Sequence, residues 1–107
     1  MSKRREQRIN ELIQQELGKI IHKELNLEKD ILVTVSRVKV SGTLENAKVW
    51  ISVYPFKERE YILKELNKKI GLIQHRLNKI IRMRFVPKIF FGIDEAEEKA
   101  AKLEEIK

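Results

Sequence analysis

Leu66-Asn67-Lys68-Lys69-Ile70-Gly71-Leu72-Ile73-Gln74-His75-Arg76-Leu77-Asn78-Lys79-Ile80-Ile81-Arg82-Met83-Arg84-Phe85-Val86-Pro87-Lys88-Ile89-Phe90-Phe91-Gly92-Ile93 contains two periodicities and no acidic residue. In its first half Leu66, Ile70, Ile73, Leu77 and Ile80 recur every three or four positions, the spacing of one buried helical stripe. After Pro87, Ile89, Phe91 and Ile93 alternate with residues of the other face, Phe90 among them, which is the spacing of a strand. A helix that leads straight into a strand is a crossover, and the strand after a crossover can pair parallel to an earlier one. The stretch therefore predicts a helix-covered sheet.

Reading upstream, Ile62 extends the same stripe, so the long helix runs over about 57–81, interrupted near its middle by Gly71. Pro55 closes the segment before it. There Ala47, Val49, Ile51 and Val53 alternate with Lys48, Trp50, Ser52 and Tyr54, a half-buried strand. Residues 32–40 also alternate, but Val33 and Val35 fall on one parity and Val38 and Val40 on the other, which calls for a bulge near Ser36-Arg37. With the turn at 41–46, the two segments make an antiparallel hairpin. Ile9, Leu12, Ile13, Leu17, Ile20, Ile21 and Leu25 define a first helix over about 4–24, in which Gly18 suggests a close crossing with another element. Downstream, Ala96, Ala100, Leu103 and Ile106 sketch a short acidic helix with Asp94 as its N-cap. The order is α-β-β-α-β with a short C-terminal helix, an α+β fold with a three-stranded sheet on one side and helices on the other. At 107 residues the chain suits one domain, with about 95–107 as an acidic helix or tail.

Charge is distributed unevenly. The net charge is +7, and residues 57–92 alone hold ten bases against three acids. Lys68, Lys69, His75, Arg76, Lys79, Arg82, Arg84 and Lys88 all lie in the acid-free stretch, and Arg4, Arg5 and Arg8 stand at the start of the first helix. Solvated helix faces usually mix signs, because favourable pairs three or four residues apart gain a few tenths of a kcal/mol. Lys68, Lys69, Arg76 and Lys79 read as unpaired within the helix, and the run continues into the next strand. Such a face suits a polyanion. Gly71 beside Lys68-Lys69 adds a candidate kink, with backbone N–H groups at the start of the downstream half placed for a phosphate.

Other function classes find less support. The absence of cysteine removes thiolate zinc sites, disulfides and cysteine nucleophiles. His22 and His75 read as surface residues, and no phosphate loop, dinucleotide fingerprint or metal-ligand pair is present. No enzyme, cofactor or metal is expected. No apolar run approaches the roughly 20 residues needed to cross a bilayer, and no leader-like segment opens the chain. A monomeric cytoplasmic protein with no membrane partner and no small-molecule substrate is the expectation. A protein–protein adaptor is the alternative, its basic face meeting an acidic partner and Trp50, Tyr54 and Phe90 forming an apolar patch.

These residues carry a family resemblance. Ala47-Lys48-Val49-Trp50-Ile51-Ser52, Lys69-Ile70-Gly71-Leu72-Ile73, and the run from Ile81 to Asp94 with its arginine-flanked Met83 and its Val86-Pro87 resemble, in that order, the ribosome-binding factor A family. The resemblance implies a type II KH-like fold in which a helix–kink–helix replaces the usual glycine loop, kinked here at Gly71. In the family a small residue stands two positions before that glycine, where this chain has Lys69. It further implies a bacterial assembly factor without a cofactor that binds the free small (30S) ribosomal subunit and its 16S rRNA, aids maturation of the rRNA 5′ end and helps growth in the cold. Lys68, Lys69, His75, Arg76, Lys79, Arg82, Arg84 and Lys88 would then be RNA contacts around Gly71, with Arg4, Arg5 and Arg8 as a second contact. Joint charge reversal at Lys69, Arg76 and Lys79 is expected to abolish subunit binding and leave the fold intact.

Overall fold

Three apolar stripes meet over one face of a sheet. In the computed structural model, which describes residues 3–96, helix α1 spans Lys3–Glu24 and buries Ile9, Ile13, Leu17, Ile20 and Ile21. Strands β1 (Leu32–Val40) and β2 (Asn46–Tyr54) form the expected antiparallel hairpin, and the register shifts between Val35 and Arg37. That bulge lets Val35 and, after the phase slip, Val38 and Val40 all face inward. A 3-10 turn at Phe56–Glu58 leads into α2 (Arg59–Lys68) and α3 (Ile70–Ile80), and β3 (Lys88–Ile93) pairs parallel to β2. The sheet order is β1-β2-β3. This is the expected α+β, KH-like architecture.

The core lies between the helices and the inner parity of the strands. Ile13 and Leu17 of α1, Ile62 and Leu66 of α2, Ile73 and Leu77 of α3, and Ala47, Val49, Ile51, Val53 and Ile89 of the sheet are fully buried. Both sheet edges are closed by amide side chains from the helices. On the β1 edge, Asn10 Oδ1 accepts the Val40 N–H at 2.8 Å, and Gln14 Nε2 donates to the Val35 carbonyl at the bulge at 3.1 Å. On the β3 edge, Gln74 Oε1 accepts the Ile89 N–H at 2.9 Å and its Nε2 donates to the Pro87 carbonyl at 3.1 Å. Exposed strand edges invite pairing with other chains, and these three residues occupy part of each edge.

Two expectations about glycine need correction. The long helix is interrupted, but at Lys69 (φ −102°, ψ 7°), two residues ahead of Gly71. Lys69 N–H is shared between the Glu65 and Leu66 carbonyls, and Ile73 N–H returns to Lys69 O at 2.9 Å, so the two helices join through one misdirected residue. Gly71 sits inside the first turn of α3, without a positive φ, and a Cβ built there meets nothing within 4 Å. Neither backbone freedom nor close packing explains it. The same holds for Gly18, whose Cβ would also meet nothing within 4 Å, so no close crossing accounts for it. The one left-handed residue among those described is Leu44 (φ 62°) in the β1–β2 turn, where its N–H bonds to Ser41 O while the Ser41 hydroxyl accepts from Glu45 and Asn46 N–H. The expected final helix, about 95–107, lies from 97 onward outside the described residues. At its start, Asp94 Oδ1 accepts the Ala96 N–H at 3.0 Å, as an N-cap does.

Candidate nucleic-acid interface

Folding divides the acid-free stretch among three places with different electrostatics. The first is the seam between α1 and α3. Lys69 Nζ donates to the Glu24 carbonyl at the C-terminus of α1, at 2.7 Å, where unpaired helix carbonyls carry partial negative charge. Arg76 Nε pairs with Glu24 Oε1, also at 2.7 Å. Lys68 Nζ lies 3.8 Å from Glu65 Oε1 one turn earlier in α2, so it is not unpaired within its helix as the sequence suggested. The stretch has no acids of its own here, but α1 supplies Glu24, and Glu16, which is paired to Lys19 at 3.6 Å, lines the same groove as Arg76 and Lys79. A charge reversal at Lys69 or Arg76 would therefore set a carboxylate against the end of α1, which makes the triple variant a poor probe of binding alone. His75 and Lys79 are exposed on α3, and Lys79 has no ion-pair partner among the described residues.

The second place is one end of the molecule. The α3–β3 connection, the β1–β2 turn and the first turns of α1 surround a concavity of about 780 Å³, lined by Arg5, Arg82 and Arg84 together with the single carboxylate Glu45. Residues from opposite ends of the sequence thus share one wall. Arg4 and Arg8 are exposed on the same helical segment. Phe85 projects from this wall 76% exposed, with the Arg84 guanidinium 5.6 Å from its ring centroid. An exposed phenylalanine among arginines offers a stacking surface beside phosphate-binding groups. Phe85 lies between the helical stripe and the strand alternation, so neither periodicity assigns it a face.

The third place is the open face of the sheet, opposite the helices. Lys88 belongs here: it starts β3 on the same parity as Phe90, and its Nζ lies 5.7 Å from the Phe90 ring. Across the sheet it joins cations that sequence reasoning did not single out, because they come singly from other strands. Arg37 pairs in register with Trp50, and Lys39 with Lys48. Arg37 and Lys48 each place their charge 4.8 Å from the Trp50 ring centroid. The available signal was parity: past the bulge, Arg37 and Lys39 take the outward phase that Lys48 and Trp50 also take. The apolar patch expected for an adaptor is divided accordingly. Trp50 is half-buried under two cations, while Tyr54 lies exposed beside Leu32, its register partner at the far end of the hairpin.

Asp94 marks the rim of this face. Its carboxyl is held below the ordinary carboxylate range, chiefly by the Ala96 N–H and secondarily by the Ser36 hydroxyl. Among the described residues no group of three His, Asp or Glu gathers to hold a metal ion, and no helix is long and apolar enough to cross a membrane.

The fold and this distribution of charge can be set beside known proteins. A protein of Halothermothrix orenii named ribosome-binding factor A is 32% identical over 107 residues, covering 99% of this chain and 88% of that protein. One of Nitrosococcus oceani with the same name is 35% identical over 100 residues, covering 92% of this chain and 79% of its own. Among solved structures, the crystal structure of ribosome-binding factor A from Thermus thermophilus superposes with a TM-score of 0.75, covering 85% of this chain and 97% of that one at 22% identity. A homology model of the Thermus thermophilus protein, fitted into an electron cryomicroscopy map of a 30S–RbfA complex, gives a TM-score of 0.68 at 23% identity, covering 80% and 91%. The family model for ribosome-binding factor A matches residues 5–107. With near-complete coverage and relatives above 30% identity, this chain belongs to the ribosome-binding factor A family.

Proposed function

We propose that this protein binds the free small ribosomal subunit through its 16S rRNA and acts there as a monomeric, non-catalytic assembly factor. In this reading it works in the cytoplasm, aids maturation of the rRNA 5′ end and supports growth in the cold. The observation that carries the reading is the convergence of Arg82 and Arg84 with Arg5 around an exposed Phe85, in a chain of this family. The relative whose coordinates were fitted into a 30S complex supports the same direction. Lys79, Arg4 and Arg8 extend the contact along α3 and α1. Lys69 and Arg76 act behind it, by fixing how α3 sits on α1, and Lys68 and His75 lie at its margin. Such contacts position the protein on the backbone and do not read bases.

The test is co-sedimentation with purified small subunits across a salt series. Arg82→Glu with Arg84→Glu should remove most binding while thermal unfolding stays that of the parent, since neither side chain is ion-paired to a described carboxylate. Affinity of the parent should fall steeply with salt, because each phosphate contact releases condensed counterions. Undiminished co-sedimentation of the double variant would place the docking face elsewhere. Binding that requires ribosomal proteins and is absent with naked rRNA would favour the adaptor reading.

A further inference from the structure

The open face of the sheet has no role in the contact just described, yet it carries four cations and two large aromatic rings. Arg37, Lys39, Lys48 and Lys88 all project from it, and none is ion-paired to a described carboxylate. Phe90 is 48% exposed there. By register Phe90 sits opposite Lys48 and Trp50 opposite Gly92, so the two rings are diagonal neighbours on adjacent strands. One strand spacing across and two residues along separates them by roughly 8 Å. Gly92 leaves the floor between them low: a Cβ there would touch the Lys48 stem at 3.4 Å, and that stem crosses the gap on its way to the Trp50 ring. A shallow groove on the same face is bounded by Lys39, Asn46, Lys48, Trp50 and Phe90.

We propose that this face binds single-stranded RNA, unpaired bases stacking on Phe90 and Trp50 while Arg37, Lys39, Lys48 and Lys88 hold the flanking phosphates. Three features select this occupant. A sheet presenting aromatic rings is a stacking platform for splayed bases, and duplex RNA, whose bases are already stacked, cannot use it. Arg37, Lys48 and Lys88 stand within 4.8–5.7 Å of the rings, so each ring comes with a phosphate-binding group beside it, as the alternation of base and phosphate requires. The positive charge also argues against a second copy of this chain, whose like face would repel it. Arg37 and Lys48 must make way at Trp50 for the second base to stack, and long flexible stems allow this. Phe90 is already open.

The chain has one tryptophan, so Trp50 fluorescence reports directly on this face. The experiment titrates the full chain with a single-stranded octanucleotide at low salt, following Trp50 emission and, independently, anisotropy of a labelled oligonucleotide. Binding should quench Trp50, and Phe90→Ala should weaken it by roughly five- to a hundred-fold, the range for losing one base–aromatic stack. Phe90→Tyr keeps the ring and should restore binding. The Arg82→Glu, Arg84→Glu variant should still quench Trp50 at saturation, which separates this inference from the docking reading. Saturated anisotropy without quenching would overturn it, as would unchanged affinity in Phe90→Ala with unaltered circular dichroism. Equal binding and quenching by a blunt RNA duplex would do the same. So would a poly-glutamate peptide that binds and quenches as well as RNA, which would mark the face as one for an acidic protein.

Discussion

Replacing Lys69 by methionine separates a structural cation from an RNA-binding one. Its ammonium donates to the Glu24 carbonyl at 2.7 Å, across 45 residues of sequence, from a half-buried position. A hydrogen bond with one charged partner contributes about 1.5–3 kcal/mol, and partial solvent access places this one near the lower end. The methionine keeps the stem's packing and loses only the charge and the bond. The expected loss is therefore about 1.5 kcal/mol. At about 4–8 °C per kcal/mol for a chain of this size, the thermal midpoint should fall by about 6–12 °C. Urea unfolding followed by Trp50 emission gives the first quantity, and thermal unfolding followed by far-ultraviolet circular dichroism the second, with Lys79→Met as the comparison. Lys79 has no ion-pair partner among the described residues, so its variant should stay within about 0.5 kcal/mol of the parent. If Lys69→Met unfolds with the parent's midpoint while losing rRNA affinity as Arg82→Ala does, the reasoning fails. Lys69 would then be a phosphate contact, not the cap of α1.

Four further outcomes follow from the same geometry. Gln74→Ala leaves the Ile89 N–H and the Pro87 carbonyl without their partner at the β3 edge and should cost about 1–3 kcal/mol, with faster amide exchange at Ile89. Gly71→Ala should raise stability by about 0.5–1 kcal/mol in urea unfolding, because the position is helical and a Cβ meets nothing there. Leu77→Ala, fully buried where α3 meets the core, should cost about 2–5 kcal/mol by the same measurement. Asp94 has a lowered pKa in the folded chain, so its contribution is present above the unfolded carboxylate value near 3.8 and is lost as pH falls through the folded one. Acid titration of the thermal midpoint should therefore show a flatter low-pH limb in Asp94→Asn.

The elements were largely legible from periodicity. The stripes of α1 and of α2 with α3, the alternation of β2 and β3, and even the bulge near Ser36 follow from which positions must be buried, and burial is the main constraint on a chain this small. The break in the long helix was legible less sharply. Gly71 drew attention because glycine weakens helices, but the chain departs from helical geometry at Lys69, where a contact to the end of α1 holds the residue. No local propensity reveals a partner 45 positions away.

The candidate site shows the same division at larger scale. Net charge, its concentration in 66–93 and the absence of cysteine are properties of sequence alone, and they suffice to point to a polyanion. Which cations remain available is a question of distance in space. Glu24 lies outside the acid-free stretch yet holds Arg76 with its carboxylate and Lys69 with its carbonyl, so part of that stretch is neutralised by folding. Arg5 joins Arg82 and Arg84, and Arg37, Lys39 and Lys48 join Lys88, only because the crossover brings β3 beside β2 and the start of α1 beside the turn that precedes β3. Electrostatic energy depends on separation through space and on solvent access, which sequence order does not encode. Composition and periodicity thus determined that the protein is a basic, helix-covered sheet. The packing of α1 and the pairing of β3 decided where its charge can act.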